Sequence, residues 1–149
     1  ALANVPWYLF ASPGYLAQRG VPESPADLAQ HATIAMVRNG TQQWQLKGPN
    51  DEELVMPIDP RFQSNNMVAL KEAACANLGI TALPGYICRS ELRDGTLQQL
   101  LPDWSAADAR ISALIPFRTG LLPAVRSLVD FLAVEMPVVT AFDHPRSFE

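Results

Sequence analysis

Two short extended runs in this chain pass directly into helix caps, and that junction constrains the fold more than any other feature. Residues 7–11 (WYLFA) lead into Ser12-Pro13, and residues 61–63 (RFQ) lead into Ser64-Asn65-Asn66. A Ser or Asn at the N-cap accepts a hydrogen bond from one of the free N–H groups of the first helical turn, and Pro at the first helical position has no N–H to leave unpaired. Each junction therefore predicts a strand whose carboxyl end opens at once into a helix, the building unit of α/β domains.

The other elements follow from the same signals. The first predicted helix runs through Tyr15, Leu16 and Gln18 and stops at Gly20. Ser24 caps a second over residues 24–31, with Asp27 in the capping-box position and His31 at its end. A strand at 33–37, a turn at Asn39-Gly40, a strand at 43–46 and an acidic, Pro-bearing loop at 48–57 come next. Met67, Val68, Leu70, Ala74 and Leu78 then recur at helical spacing, with Gly79 placed as the C′ residue. Residues 80–83 read as a strand broken by Pro84-Gly85, and residues 86–92 as a helix. Residues 97–101 and 111–115 read as strands around a polar loop at 102–109. In the last helix Leu121, Leu122, Val125, Leu128, Val129, Leu132 and Met136 share one face, with Arg126 and Asp130 paired on the other. Pro123 marks its first turn and Pro137 its end. This order predicts an α/β domain with a mixed, partly parallel sheet.

Its 149 residues suffice for one sizeable core. Eleven Lys and Arg, scattered singly against 15 Asp and Glu, give a net charge of -4, so the chain carries no basic stripe to hold nucleic acid. No apolar run approaches the roughly 18–20 residues that cross a bilayer, and residues 1–6 lack the charged and apolar regions of a signal peptide. No membrane contact is expected, and the cytoplasm is the expected compartment. Cys75, Cys88, His31 and His144 are not spaced as metal ligands; no metal or other cofactor is expected, and the two thiols read as reduced and mostly buried.

Catalytic signal is weak. Neither histidine is placed as the base of a nucleophilic triad, and the chain has no G-x-S-x-G, Walker loop or G-x-G-x-x-G. Asp51, Glu52 and Glu53 read as a solvated surface. The informative residues are the two caps, because ligands of open α/β sheets gather beyond strand carboxyl ends, where free N–H groups favour an anion. Ser12 and Ser64-Asn65-Asn66 are expected to face one cleft; plain capping is the alternative. Trp7, Trp44 and Trp104 either line a pocket or pack against the core.

The ordered segments resemble the effector-binding domain of LysR-type transcriptional regulators. Four stretches carry the likeness: residues 7–20 (WYLFASPGYLAQRG) with 24–31 (SPADLAQH), 65–84 (NNMVALKEAACANLGITALP), 95–104 (GTLQQLLPDW) and 123–132 (PAVRSLVDFL). Their joint order over about residues 5–133 is the specific signal. Asn77 departs from the family, standing where many relatives have Gly, and Gly79 is expected to supply the C-cap.

The resemblance implies a type 2 periplasmic-binding-protein-like fold, with two α/β lobes joined by two crossover strands and an inducer held between them. On that template residues 5–109 form a nearly complete second lobe, and residues 110–136 supply a crossover strand, 110–117, and a helix belonging to a largely missing first lobe. Residues 137–149 are a tail. The last helix would then bury its apolar face against another chain or under residues 138–149. Inducer contacts carried over to this sequence are Ser12, Ser64, Asn65 and Asn66, with Pro84 and Gly85 as a further wall. The implied function is non-catalytic sensing of a small molecule, with a carboxylate or other anion favoured. A homo-oligomer is implied for the intact protein, with DNA bound only through a winged helix-turn-helix outside this chain. A solute-binding protein for transport is the alternative, and an enzyme on the same fold the third.

Overall fold

Strand β1, Ala3–Ala11, organises the computed structural model, which describes residues 1–40, 42–116 and 120–142. Its second half lies between two partners and its first half pairs with a third. Along Trp7–Phe10 it runs antiparallel to β6, Ile80–Pro84, and along Leu9–Ala11 antiparallel to β7, Gln98–Leu100. Its start, from Ala3 to Trp7, pairs antiparallel with β8, Ala107–Ile111. Beyond β6 come β2, Thr33–Met36, and β5, Phe62–Ser64, both parallel to β6, giving the order β5-β2-β6-β1-β7. The sheet is mixed and partly parallel, as the alternation of elements predicts.

Both faces of the sheet are covered. On one, helix α1, Pro13–Arg19, and the 3-10 helix Pro25–Gln30 bring Tyr15, Leu16 and Leu28 against Leu9, Ala11, Ile80 and Leu100. On the other, α2, Met67–Cys75, sets Leu70, Ala73 and Ala74 against Phe10, Ile34 and Leu83. The 3-10 turn Gly85–Cys88 and α3, Arg89–Asp94, continue this face, tied to α2 by the Lys71–Glu91 bridge at 2.8 Å. Cys75 and Cys88 are both free, and burial pushes the Cys88 thiol up to about 12.

Several boundaries differ from expectation for tertiary reasons. The acidic stretch expected as a loop contains β4, Glu53–Pro57, which pairs with β3, Gln43–Lys47, in the register Trp44↔Met56 and Leu46↔Leu54. Burial of Trp44 and Leu46 makes the hairpin worthwhile, while the apolar residues of β4 stay largely outside. Asn50 and Asp51 turn it with positive φ, which their short polar side chains tolerate. Trp104 lies on Gly48, where a Cβ would meet its ring at 2.6 Å, and Trp44 is core, so both pack. A hole of about 30 Å³ beside Trp7 and Trp44 is far too small for an organic ligand.

The strand expected at 111–115 lies upstream, because β1 offers its pairing edge to Ala107–Ile111; Phe117, the end of the expected crossover strand, is outside the described residues. Helix α2 ends at Cys75, and Asn77, with φ 68°, takes the left-handed position assigned to Gly79. Leu78 N–H bonds to Ala73 O at 3.1 Å and Asn77 N–H to Ala74 O at 3.2 Å, the paired bonds of a Schellman motif. Gly79 serves another need, since a Cβ there would sit 2.5 Å from Ala32 O.

Helix α4, Pro123–Val139, begins at Pro123 as predicted but continues past Pro137. Thr140 closes its last turn, with N and Oγ1 both donating to Met136 O at 3.0 and 2.7 Å. No residue of α4 is buried: Val129, Leu132 and Met136 are half-buried, while Val125, Leu128, Phe131, Val134 and Val138 are exposed. Phe142 beyond it packs on Tyr8 and Phe10, with ring centroids at 5.4 and 6.4 Å. The expected cover by residues 138–149 falls mostly on 143–149, outside the described residues, as does His144.

Candidate functional site

The strand directions decide which caps share an edge. Since β2, β5 and β6 are parallel, their carboxyl ends, Met36, Ser64 and Pro84, lie at one edge of the sheet. Strand β1 runs the other way, with Trp7 opposite Pro84 and Phe10 opposite Thr81, so Ser12 emerges at the opposite edge. Counting roughly 3.3 Å per residue along the strands and 4.8 Å between them, Ser12 and Ser64 are about 20 Å apart. The expectation that both caps face one cleft is therefore not met, because one small carboxylate cannot touch both.

Ser12 is a buried cap, 3% exposed. Its Oγ accepts from Tyr15 N–H at 3.1 Å and donates to Asn77 Oδ1 at 2.6 Å, tying α1 to the end of α2. Next to it, Tyr15 Oη accepts from Ala32 N–H at 3.0 Å and lies 2.8 Å from His31 Nδ1. Burial, with Arg19 nearby, holds the His31 imidazole below its ordinary 6.5, against the pull of Asp27. This hydrogen bond between the Tyr15 hydroxyl and His31 Nδ1 engages the imidazole in structure.

At the other edge the groups are more open. Of the three candidate caps Asn66 holds α2, its Oδ1 accepting from Val68 N–H at 2.9 Å and Ala69 N–H at 3.4 Å. Ser64 Oγ accepts from Asn66 N–H at 3.0 Å, and Ser64 O accepts from Val37 N–H at 3.1 Å. Asn65 is exposed between them, and its amide has no hydrogen bond among the described residues. Pro84 and Gly85, expected as a wall, are at this edge but buried, with the Phe142 ring in the space a Gly85 Cβ would take. Sequence reasoning missed Arg38, exposed just past the end of β2; its signal was its place directly after a parallel strand. Ser64, Asn65 and Arg38 together offer hydroxyl, amide and positive charge at this edge, a set suited to an anionic or polar group. Among the described residues no group of three His, Cys, Asp or Glu is placed to hold a metal ion.

Beyond this same edge, among the described residues, Ala3–Pro6 of β1 has β8 as its strand partner, a two-stranded ribbon leaving the body of the sheet. A sequence model of the LysR substrate binding domain matches residues 1–137. The chain belongs to the LysR substrate-binding domain family. Among its relatives is the probable HTH-type transcriptional regulator LtrA of Klebsiella pneumoniae, 28% identical over 135 residues, covering 88% of this chain and 43% of that protein. The regulatory domain of AphB from Vibrio vulnificus, treated with cumene hydroperoxide, is 29% identical with a TM-score of 0.75, covering 89% of this chain and 66% of that one. The regulatory domain of CrgA from Neisseria meningitidis, 22% identical, shares the fold with a TM-score of 0.67 over 90% of this chain and 66% of that one. The LysR domain described here spans about two fifths of the length of the curated relatives it matches, 43% and 40% for two of them. These relatives are transcriptional regulators, not transporters. No described helix is long and apolar enough to cross a membrane.

Proposed function

We propose that this LysR domain is the inducer-sensing part of a cytoplasmic transcriptional regulator, binding a small anionic molecule at the Ser64-Asn65-Asn66 edge of its sheet. The observation that carries the proposal is directional: the β1–β8 ribbon leaves the sheet by the edge at which Ser64 and Asn65 are open. Residues 5–109 are then one lobe, and a first lobe, reached by the ribbon, faces it across a cleft. The exposed apolar face of α4 docks on that first lobe, as the exposure of Leu128 and Phe131 supports. Pro84 and Gly85 form the back of the cleft, and Ser12 enters only as a cap.

The mechanism is a population shift. An inducer that binds the closed lobes better than the open ones moves the equilibrium by its differential affinity. That shift alters a homo-oligomer held on DNA by a winged helix-turn-helix domain. The proposal includes no catalytic step and no cofactor.

The test is thermal unfolding of the full-length regulator with a panel of small carboxylates and aromatic acids. Binding to the native state alone stabilises by about 2.7 kcal/mol at a hundredfold excess over Kd. Asn65→Ala is expected to abolish the rise in Tm, whereas Ser12→Ala lowers the baseline Tm and leaves the rise intact. A rise indifferent to Asn65→Ala, Ser64→Ala and Arg38→Gln alike would remove the site from this edge.

A further inference from the structure

A cavity of about 1040 Å³ lies away from the Ser64 edge, between α3, the start of β7 and the segment that follows α4. We infer that it is a second small-molecule site of this chain, for an organic anion with an apolar body. None of Ser64, Asn65, Asn66 and Arg38 lines this cavity, while Phe142, which packs over Gly85, and Val138, on the exposed side of α4, both do.

The walls supply both halves of such a ligand. Leu92, Val138 and Phe142 make them largely apolar, and the volume matches that of pockets which enclose molecules with a ring or a chain. Arg89 and Arg93 both line it, one helical turn apart on α3. They are used differently. Arg89 donates through Nη2 to Val139 O and Ala141 O, and so fixes the segment that forms the far wall. Arg93 has no hydrogen bond or ion pair among the described residues, and Glu91 beside it is taken by Lys71.

Gln99 is the independent observation. Its register opposite Phe10 puts it on the face covered by Phe142, and it lines the cavity. Both Nε2 and Oε1 are sealed from water without a partner among the described residues. Buried amides in native proteins are seldom left wholly unpaired, since the desolvation is then uncompensated. A turn about the side-chain torsions brings the amide into the cavity, where a carboxylate held by Arg93 accepts from Nε2. The apolar body of the ligand then lies on Leu92, Val138 and Phe142.

The experiment titrates the whole chain with naphthalene-2-carboxylate and with its neutral amide, following backbone and Gln side-chain amide resonances. Saturable binding of the acid is expected, with the neutral amide and the Arg93→Gln variant each weaker by about tenfold or more. The Gln99 side-chain resonances shift with the acid and not with the amide, and Glu53→Gln, exposed on β4 and outside both sites, leaves the titration unchanged. Ala141→Trp, which fills the cavity, removes binding; Val138→Phe serves the same purpose should that variant fail to fold. Equal affinity for acid and amide, binding retained in Arg93→Gln, or Gln99 resonances that do not move with the acid overturns the inference. So does the absence of saturation by about 10 mM. Sedimentation as a dimer that excludes the probe would make the cavity an interface between copies and likewise overturn it.

Discussion

Ser12 joins two helices through one hydroxyl, accepting from Tyr15 N–H and donating to Asn77 Oδ1 in a site closed to water. Ser12→Ala is expected to cost about 1–2 kcal/mol in chemical denaturation, and a double-mutant cycle with Asn77→Ala should show the two effects to be non-additive. The cap itself was legible from Ser12-Pro13; its partner was not, because residues 65 positions apart meet only through the sheet. His31 gives a pH signature. Its folded pKa lies below its unfolded value near 6.5, so the unfolded state binds the proton more readily. Stability is complete above that value and falls as the pH drops through it. Between about pH 7.5 and 5.5 the midpoint of the wild type should decline more than that of His31→Gln. Cys88 is buried with its thiol at about 12, so alkylation at neutral pH should mark half-buried Cys75 first and Cys88 only on unfolding.

At the level of elements, caps and glycines were read well where the signal is local. Asn66 holds two N–H groups of α2, and Asn66→Ala should destabilise by about 1 kcal/mol while Asn66→Asp is close to neutral, as read from denaturant midpoints. The other end of α2 was misread by two residues. Gly79 looked like the terminator because glycine is the common left-handed residue, yet Asn77 adopts that conformation and Gly79 is needed where Ala32 O crowds it. The strand Glu53–Pro57 was hidden for a related reason. Its charges and prolines look like a loop, and only the burial of Trp44 and Leu46 across the hairpin makes it a strand.

For the whole molecule, the exposed apolar residues of α4 depart from an ordinary water-facing surface. Leu128→Glu with Phe131→Glu should leave the unfolding midpoint of the isolated chain nearly unchanged, because neither residue is buried in the fold. The same pair in the full-length regulator should destabilise it, since there the face has a lobe to cover it. What the sequence determined alone was the class of the fold and the caps at Ser12 and at Ser64-Asn65-Asn66, which reside in residues a few positions apart, and the family likeness, which resides in the order of segments along the chain. Only the tertiary structure decided that Ser12 and Ser64 stand at opposite edges, that Ala107–Ile111 rather than residues 111–115 is the strand, and that Asn77 completes the Ser12 cap. The physical reason is common to all three: hydrophobic period and capping chemistry mark an element but carry no sign for its direction, and β1 acquires its direction by pairing with strands about 75–105 residues away.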